Sequence, residues 1–203
     1  MQIHMAKTRN STIDLMASVG PELTDAVAAA RSLLGCVIHH HECSARIVET
    51  EAYRASDDPA SHAFRGRTER NRVMFGPVGI AYVYFSYGVH WMLNVVAHGK
   101  DEAGAVLIRA AEPLTGIDLM AERRGTARPE ALLSGPGKLC QALAIGRAHY
   151  GVDLFAGGSL RIMPGPPPAQ ILAGPRIGIA DGKGHETAWR FIDAHAQRWV
   201  SRR

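Results

Sequence analysis

The 203-residue chain has only three cysteines, Cys36, Cys43 and Cys140, and none of them shares CxxC spacing with another. An odd number cannot pair completely, so free thiols in a reducing, cytoplasmic setting are expected rather than a disulfide framework. Long apolar runs are also missing. The longest covers residues 78–85, eight positions, whereas a membrane span needs about 20. The first 17 residues carry Gln2, His4, Lys7, Arg9, Asn10 and Asp14, so no secretory segment is expected there and no membrane partner. Metal patterns are absent too. His39-His40-His41-Glu42 is not HExxH, and successive strand histidines point to alternate faces, which leaves them as surface residues. Repeats are lacking, and the one biased tract, Pro164-Gly165-Pro166-Pro167-Pro168, reads as a surface loop.

Lysine is scarce in a basic chain. Of 23 Lys and Arg residues only Lys7, Lys100, Lys138 and Lys183 are lysine, leaving 19 arginines, with a net charge of +4 and a pI near 9.2. The planar guanidinium suits phosphate, so the bias favours a polyanionic partner. A GC-rich coding bias would produce the same excess alongside abundant Ala, Gly and Pro. Hydrophobic residues at 46% and charged residues at 21% describe an ordinary soluble globular chain. At this length it can bury about 70% of its unfolded surface without metal or disulfide staples.

Periodicity predicts a helix over residues 21–34 stopped by Gly35, and strands over 36–40 and 45–53. A polar loop should follow over 54–72, holding Asp57-Asp58-Pro59, His62 and a run of arginines. Strands over 82–85 and 89–96 flank Ser86-Tyr87-Gly88, a hairpin signal. Further strands are expected over 105–110, 159–163 and 176–180, and helices over 116–123 and 134–144. Short turns between strands imply an α+β fold: one compact domain over 18–203, built on a curved, mostly antiparallel sheet with peripheral helices. Residues 1–17 lack periodicity and are expected to form a flexible arm.

Strand alternation sets Ile47, Glu49, Glu51 and Tyr53 on one face, opposite Arg46, Val48, Thr50 and Ala52. Two carboxylates side by side repel unless something uses or neutralises them, and the plain alternative is a solvated face. Tyr53 on the same face suits a pocket for a flat ring. Tyr82, Tyr84, Phe85 and Tyr87 crowd into six positions of a chain with only five Phe, five Tyr and three Trp. Phe85 and Trp91 read as core, whereas Tyr87 should project from the hairpin tip, either as a packing plug or as a wedge between DNA bases. Arg109 interrupts the apolar strand Val106-Leu107-Ile108, so it either pairs with Glu49 or Glu51 or faces water from an edge. Gly135-Pro136-Gly137-Lys138 at a helix start offers N–H groups to an anion, or simply caps the helix; Leu132 and Leu139 exclude a Walker loop.

The strings RIVETEAY (46–53), Arg70-Asn71-Arg72, YVYFSYG with Met92 and Asn94, RAAEP (109–113) and SGPGKLCQAL (134–143) resemble the alkyladenine (3-methyladenine) DNA glycosylase family, in order, over residues 28–191. The resemblance implies an open Greek-key, barrel-like sheet with a protruding hairpin that enters the DNA minor groove. It implies excision of alkylated purines from double-stranded DNA, without metal or cofactor, by a protein expected to be a monomer and, in a bacterium, nucleoid-associated. Glu51 matches the acid that activates water and Arg109 its basic partner. Tyr53, His62 and Tyr84 match walls of the base pocket, Asn94 the gatekeeper on the purine edge, and Tyr87 the intercalating residue. Arg70, Arg72 and Lys138 are the expected contacts to the DNA backbone. His90 and Val89 depart from the family pattern on the hairpin. A non-catalytic nucleic-acid-binding protein and a nucleoside hydrolase remain as alternatives that use the same residues.

Overall fold

A computed structural model describes residues 21–55, 57–100 and 102–201; the expected arm at 1–17 lies outside the described residues. The first helix is shorter than its periodicity predicts. α1 runs Ala26–Ser32 because Asp25, in extended conformation, caps it: its carboxylate accepts the N–H groups of Val27 and Ala28 at 2.8 and 2.9 Å. The strands are β1 (Val37–His40), β2 (Cys43–Arg54), β3 (Ala81–Ser86), β4 (His90–Val96), β5 (Gly104–Thr115), β6 (Leu160–Met163), β7 (Ile171–Gly174) and β8 (Arg190–Asp193). The remaining helices are α2 (Ile117–Arg124), α3 (Pro129–Leu132) and α4 (Pro136–Ala142). The strand expected at 176–180 does not form: that segment is a turn containing Gly178 at φ +76°, and the sheet is completed instead by β7 and β8.

All pairings are antiparallel, in the order β3-β4-β5-β2-β1-β6, with β8 and then β7 branching from β2. The branch arises because β2 is long and kinked. Residues 43–46 pair with β1, whereas Glu49, Thr50 and Glu51 pair with β8. Between them the register to β5 shifts twice, after Ile47 and after Glu49, leaving Val48 on β2 and Arg109 on β5 without cross-strand partners. Such bulges re-aim side chains. Ile47 therefore joins the core with Ile108 and Ala111, while Glu49, Glu51 and Tyr53 take the opposite face. The predicted grouping of Ile47 with the carboxylates is corrected by the bulge.

One face of the sheet carries the main core. Ala29 and Ala30 let α1 approach closely enough for Thr50 to donate to the Ala30 carbonyl at 2.6 Å. Leu139, Cys140 and Leu143 of the α4 region pack with Val83, Leu93 and Val95. Each such buried aliphatic side chain contributes about 1.5–3 kcal/mol relative to exposure. Gly137 is required in α4, because a Cβ there would come within 2.7 Å of the His90 ring, so the helix lies directly on the hairpin. Phe85, expected in the core, is 46% exposed, its ring 4.9 Å from that of Trp91, which is half-buried and packs against the core as expected. His40, expected at the surface, is buried against the Leu143 carbonyl. Among the described residues no helix is long and apolar enough to cross a membrane.

Candidate active site

The other face of the sheet holds a row of side chains running across five strands. Tyr82 pairs with Asn94, Asn94 with Leu107, Leu107 with Glu51, and Glu51 with Arg190. Above this row opens a cleft of about 550 Å³, walled by Tyr53, His62, Tyr84, Asn94, Arg109 and the segment beginning at Ile177. Three distant parts of the chain thus meet, and Tyr87 stands at the rim.

Glu51 is fully buried and held by donors on both oxygens. Oε1 accepts the Ile177 N–H at 2.7 Å, and Oε2 accepts the Tyr53 hydroxyl at 2.9 Å and the Arg109 Nη1 at 3.2 Å. Each of these three donors belongs to a residue that lines the cleft. Arg109 is buried rather than edge-exposed, so its charge is matched from both sides, as its place in an apolar strand requires. Its Nε reaches Glu49 Oε1 at 3.2 Å. Glu49 is in turn held by Arg190 Nε at 2.7 Å and by Ser201, whose N–H lies 2.6 Å from Oε2 and whose hydroxyl lies 2.7 Å from Oε1. The two carboxylates and two guanidinium groups balance. Arg46 binds Glu112 and Asp193 and takes no part in this cluster.

Burial pushes the Tyr53 hydroxyl well above its ordinary value, and the adjacent Glu51 charge and hydrogen bond add to it, so Tyr53 remains a donor. Tyr84 rises to about 12, chiefly through burial. His62 accompanies Tyr84, with ring centroids 4.7 Å apart, and its Nδ1 lies 2.9 Å from the Tyr82 hydroxyl. Burial first and the nearby Arg70 second lower its pKa, so at neutral pH it is the uncharged imidazole. Arg70 lies over the Tyr84 ring at 5.0 Å. Asn94 is buried, its amide nitrogen donating to the Tyr82 carbonyl at 3.0 Å, which fixes the orientation it presents to the cleft.

At the rim, Val89 N–H donates to the Ser86 carbonyl at 3.0 Å and closes a turn in which Tyr87 and Gly88 have φ of +50° and +68°. This is hairpin-type turn geometry, costly for a tyrosine, and it leaves Tyr87 95% exposed. Lys138 and Arg72 are also exposed, Arg72 pairing with Glu69 at 3.4 Å and lying apart from the cleft lining. Among the described residues no group of three or more His, Cys, Asp or Glu converges in metal-binding geometry.

A buried carboxylate held by three donors, with a guanidinium beside it and aromatic walls above it, can take a proton from water while a flat, charge-deficient ring sits in the cleft. The methylpurine-DNA glycosylase family model matches residues 22–197 of this sequence. The chain belongs to the methylpurine-DNA glycosylase family. It is 52% identical over 170 residues to a Chlorobaculum tepidum protein named "Putative 3-methyladenine DNA glycosylase", covering 81% of this chain and 80% of that one. Proteins of the same name from Nitrosospira multiformis and Methanoculleus marisnigri are each 47% identical, covering 81% and 88% of this chain and 83% and 95% of theirs. In this glycosylase the sequence motifs hold Glu51, Arg109 and the aromatic walls but not the outer supports. Ile177, Arg190 and Ser201 lie 126 or more positions from the carboxylates they bind, beyond the reach of any local pattern.

Proposed function

We propose that this glycosylase flips alkylated purines out of duplex DNA and hydrolyses the N-glycosidic bond with water, leaving an intact abasic site. The observation that carries the reading is the Glu51 carboxylate, buried behind the aromatic cleft and held by Arg109, Tyr53 and the Ile177 N–H. A stacked base cannot enter such a recess, so it must be extruded at a cost of a few kcal/mol. Tyr87, already projecting from the hairpin tip, fills the gap. Tyr53 and Tyr84 then offer π faces to the purine, which attract it when methylation has made it cationic. The same charge makes the base a ready leaving group, so a single carboxylate suffices where glycoside cleavage ordinarily recruits two. Glu51 takes the proton of the attacking water and stabilises the oxocarbenium-like sugar, while Arg109 fixes the carboxylate and the water beside it. Asn94 limits bulk on the purine edge, and His62 contacts the base from the Tyr84 side. 3-Methyladenine and 7-methylguanine carry that positive charge and suit this arrangement, whereas hypoxanthine and ethenoadenine are neutral and would need a proton from a further donor. Arg70, Arg72 and Lys138 hold the phosphate backbone.

Among the described residues no lysine lines the cleft, which supports water rather than an amine as the nucleophile, with no strand cleavage following. The test is incubation with duplexes each carrying one lesion, followed by alkali to reveal abasic sites. Glu51→Gln should keep duplex binding and lose at least ~10²-fold in single-turnover rate. A variant within about threefold of wild type refutes the base assignment, since general base catalysis contributes far more than that. Borohydride added during turnover should trap no protein–DNA crosslink.

A further inference from the structure

We infer that Arg176 is a positioning residue for this reaction, fixing the Ile177 N–H against Glu51 and the Tyr53 ring against the cleft. The connection between β7 and β8 spans residues 175–189, and Arg176 is the only buried residue in it. Its side chain is fully covered and pairs with Asp58 through two bonds, Nη1 to Oδ2 at 2.7 Å and Nη2 to Oδ1 at 2.8 Å. Nη1 also donates to the carbonyl of Ala52, the residue between Glu51 and Tyr53, at 3.0 Å. The guanidinium carbon lies 4.7 Å from the Tyr53 ring centroid and 5.2 Å from that of Trp189, and Nε has no oxygen partner.

A segment that needed only an anchor would be served by an apolar side chain, which avoids the desolvation cost of a buried ion pair. The guanidinium does what no apolar group can. It ties three separate pieces together: the end of β2, the loop after it, and the β7–β8 connection. Asp58 is fixed in that loop by the Arg54 and Ala60 N–H groups at 3.1 and 3.2 Å, four residues before His62. The residue immediately after Arg176 donates to Glu51, so any slackening at 176 is transmitted to the carboxylate. Misplacing a reacting group by about 1 Å can cost ~10²-fold in rate. The inference rests on the reading of Glu51 as the group that activates water.

The experiment compares wild type, Arg176→Lys, Arg176→Met and the double variant Arg176→Met/Asp58→Asn, the last so that no uncompensated carboxylate is left buried. Single-turnover excision of 3-methyladenine, affinity for the same lesion duplex, and amide exchange of the peptide around Ile177 are measured in each. The double variant should lose about tenfold or more in rate, the value of one hydrogen bond to a charged group, with duplex affinity unchanged within about twofold. Exchange at Ile177 should accelerate while peptides from β4 and β5 keep their protection, and Arg176→Lys should restore part of both losses. Wild-type rate and protection in the double variant overturn the proposal. So does a double variant that fails to fold, which would make Arg176 a residue of the fold alone. If the wild-type protein excises no methylpurine, the glycosylase reading falls, and the exchange measurement still decides whether Arg176 positions Ile177.

Discussion

Replacing Glu49 with glutamine tests whether the charge balance behind the site is as tight as its geometry. Glu49 Oε1 accepts from Arg190, Ser201 Oγ and Arg109, and Oε2 accepts from the Ser201 N–H. A glutamine has one acceptor and one donor end. With its nitrogen at the Oε2 position, that nitrogen meets the Ser201 N–H; flipped, it meets both guanidinium groups. The first orientation costs less, but it still sacrifices the 2.6 Å Ser201 bond and leaves Arg190 with no carboxylate and Arg109 with Glu51 alone. Breaking a buried ion pair from one side costs about 3–5 kcal/mol, and retention of the neutral acceptor puts this change at the lower end, about 3 kcal/mol. For a domain of this size each kcal/mol lowers the melting midpoint by about 2–4 °C, so a fall of about 6–12 °C is expected. Urea unfolding and a thermal melt, run together at pH 7, measure it. A loss below about 1 kcal/mol, the level of an exposed pair, would refute the reasoning, because it would mean the cluster is solvated rather than sealed.

Tyr87→Ala should weaken lesion-duplex binding by about 1–3 kcal/mol, and should matter less on bulged substrates where little unstacking is needed; equal losses on both would make Tyr87 structural only. Tyr87→Gly, which relieves the positive φ, should bind as weakly as the alanine variant while the hairpin gains stability by thermal melt. Removing Arg70 or Lys138 should lower the slope of log K against log salt by about 0.9 for each phosphate no longer neutralised, and salt-independent binding by wild type would contradict the DNA reading. The buried His40 has a pKa lowered by desolvation, so folding favours its neutral form. Its contribution is complete above the unfolded value near 6.5 and is lost as pH falls through the folded value. His40→Gln should therefore flatten the decline of urea midpoint below about pH 6.5; parallel declines would place the acid sensitivity elsewhere.

Most of the sheet is legible in the sequence because its strands obey local rules. The β3–β4 hairpin follows from Tyr87-Gly88 between β-branched and aromatic runs, and the 12-residue β5 exceeds its expected span only at its ends. The departures share one cause: they lie where a distant partner decides. β8 is four residues, Arg190–Asp193, and exists because the kinked edge of β2 needs a neighbour there. The segment 176–180 has strand-like composition, but it is occupied in reaching Glu51 and Asp58, which a ladder would forbid. Phe85 reads as core by type, yet its position near the hairpin tip leaves no second layer to cover it.

The same division runs through the site. Alternation correctly places Glu49, Glu51 and Tyr53 together because the bulge at Val48 lies before all three, and it fails for Ile47 because that residue lies on the other side of the bulge. Sequence patterns thus locate the groups facing the cleft, whereas their supports come from wherever the chain returns: Ile177 after β7, Arg190 on β8, Ser201 near the end. Those returns are not interchangeable in their consequences. Ser201 and Arg190 donate to Glu49, so losing either leaves a buried carboxylate short of donors and acts first on stability. Ile177 bonds Glu51 itself, on the oxygen left free by Arg109 and Tyr53, so its displacement acts first on the orientation of that carboxylate. Two carboxylates two residues apart on one strand thereby acquire different surroundings, and in the proposed reaction different roles, by which distant segment lands on each.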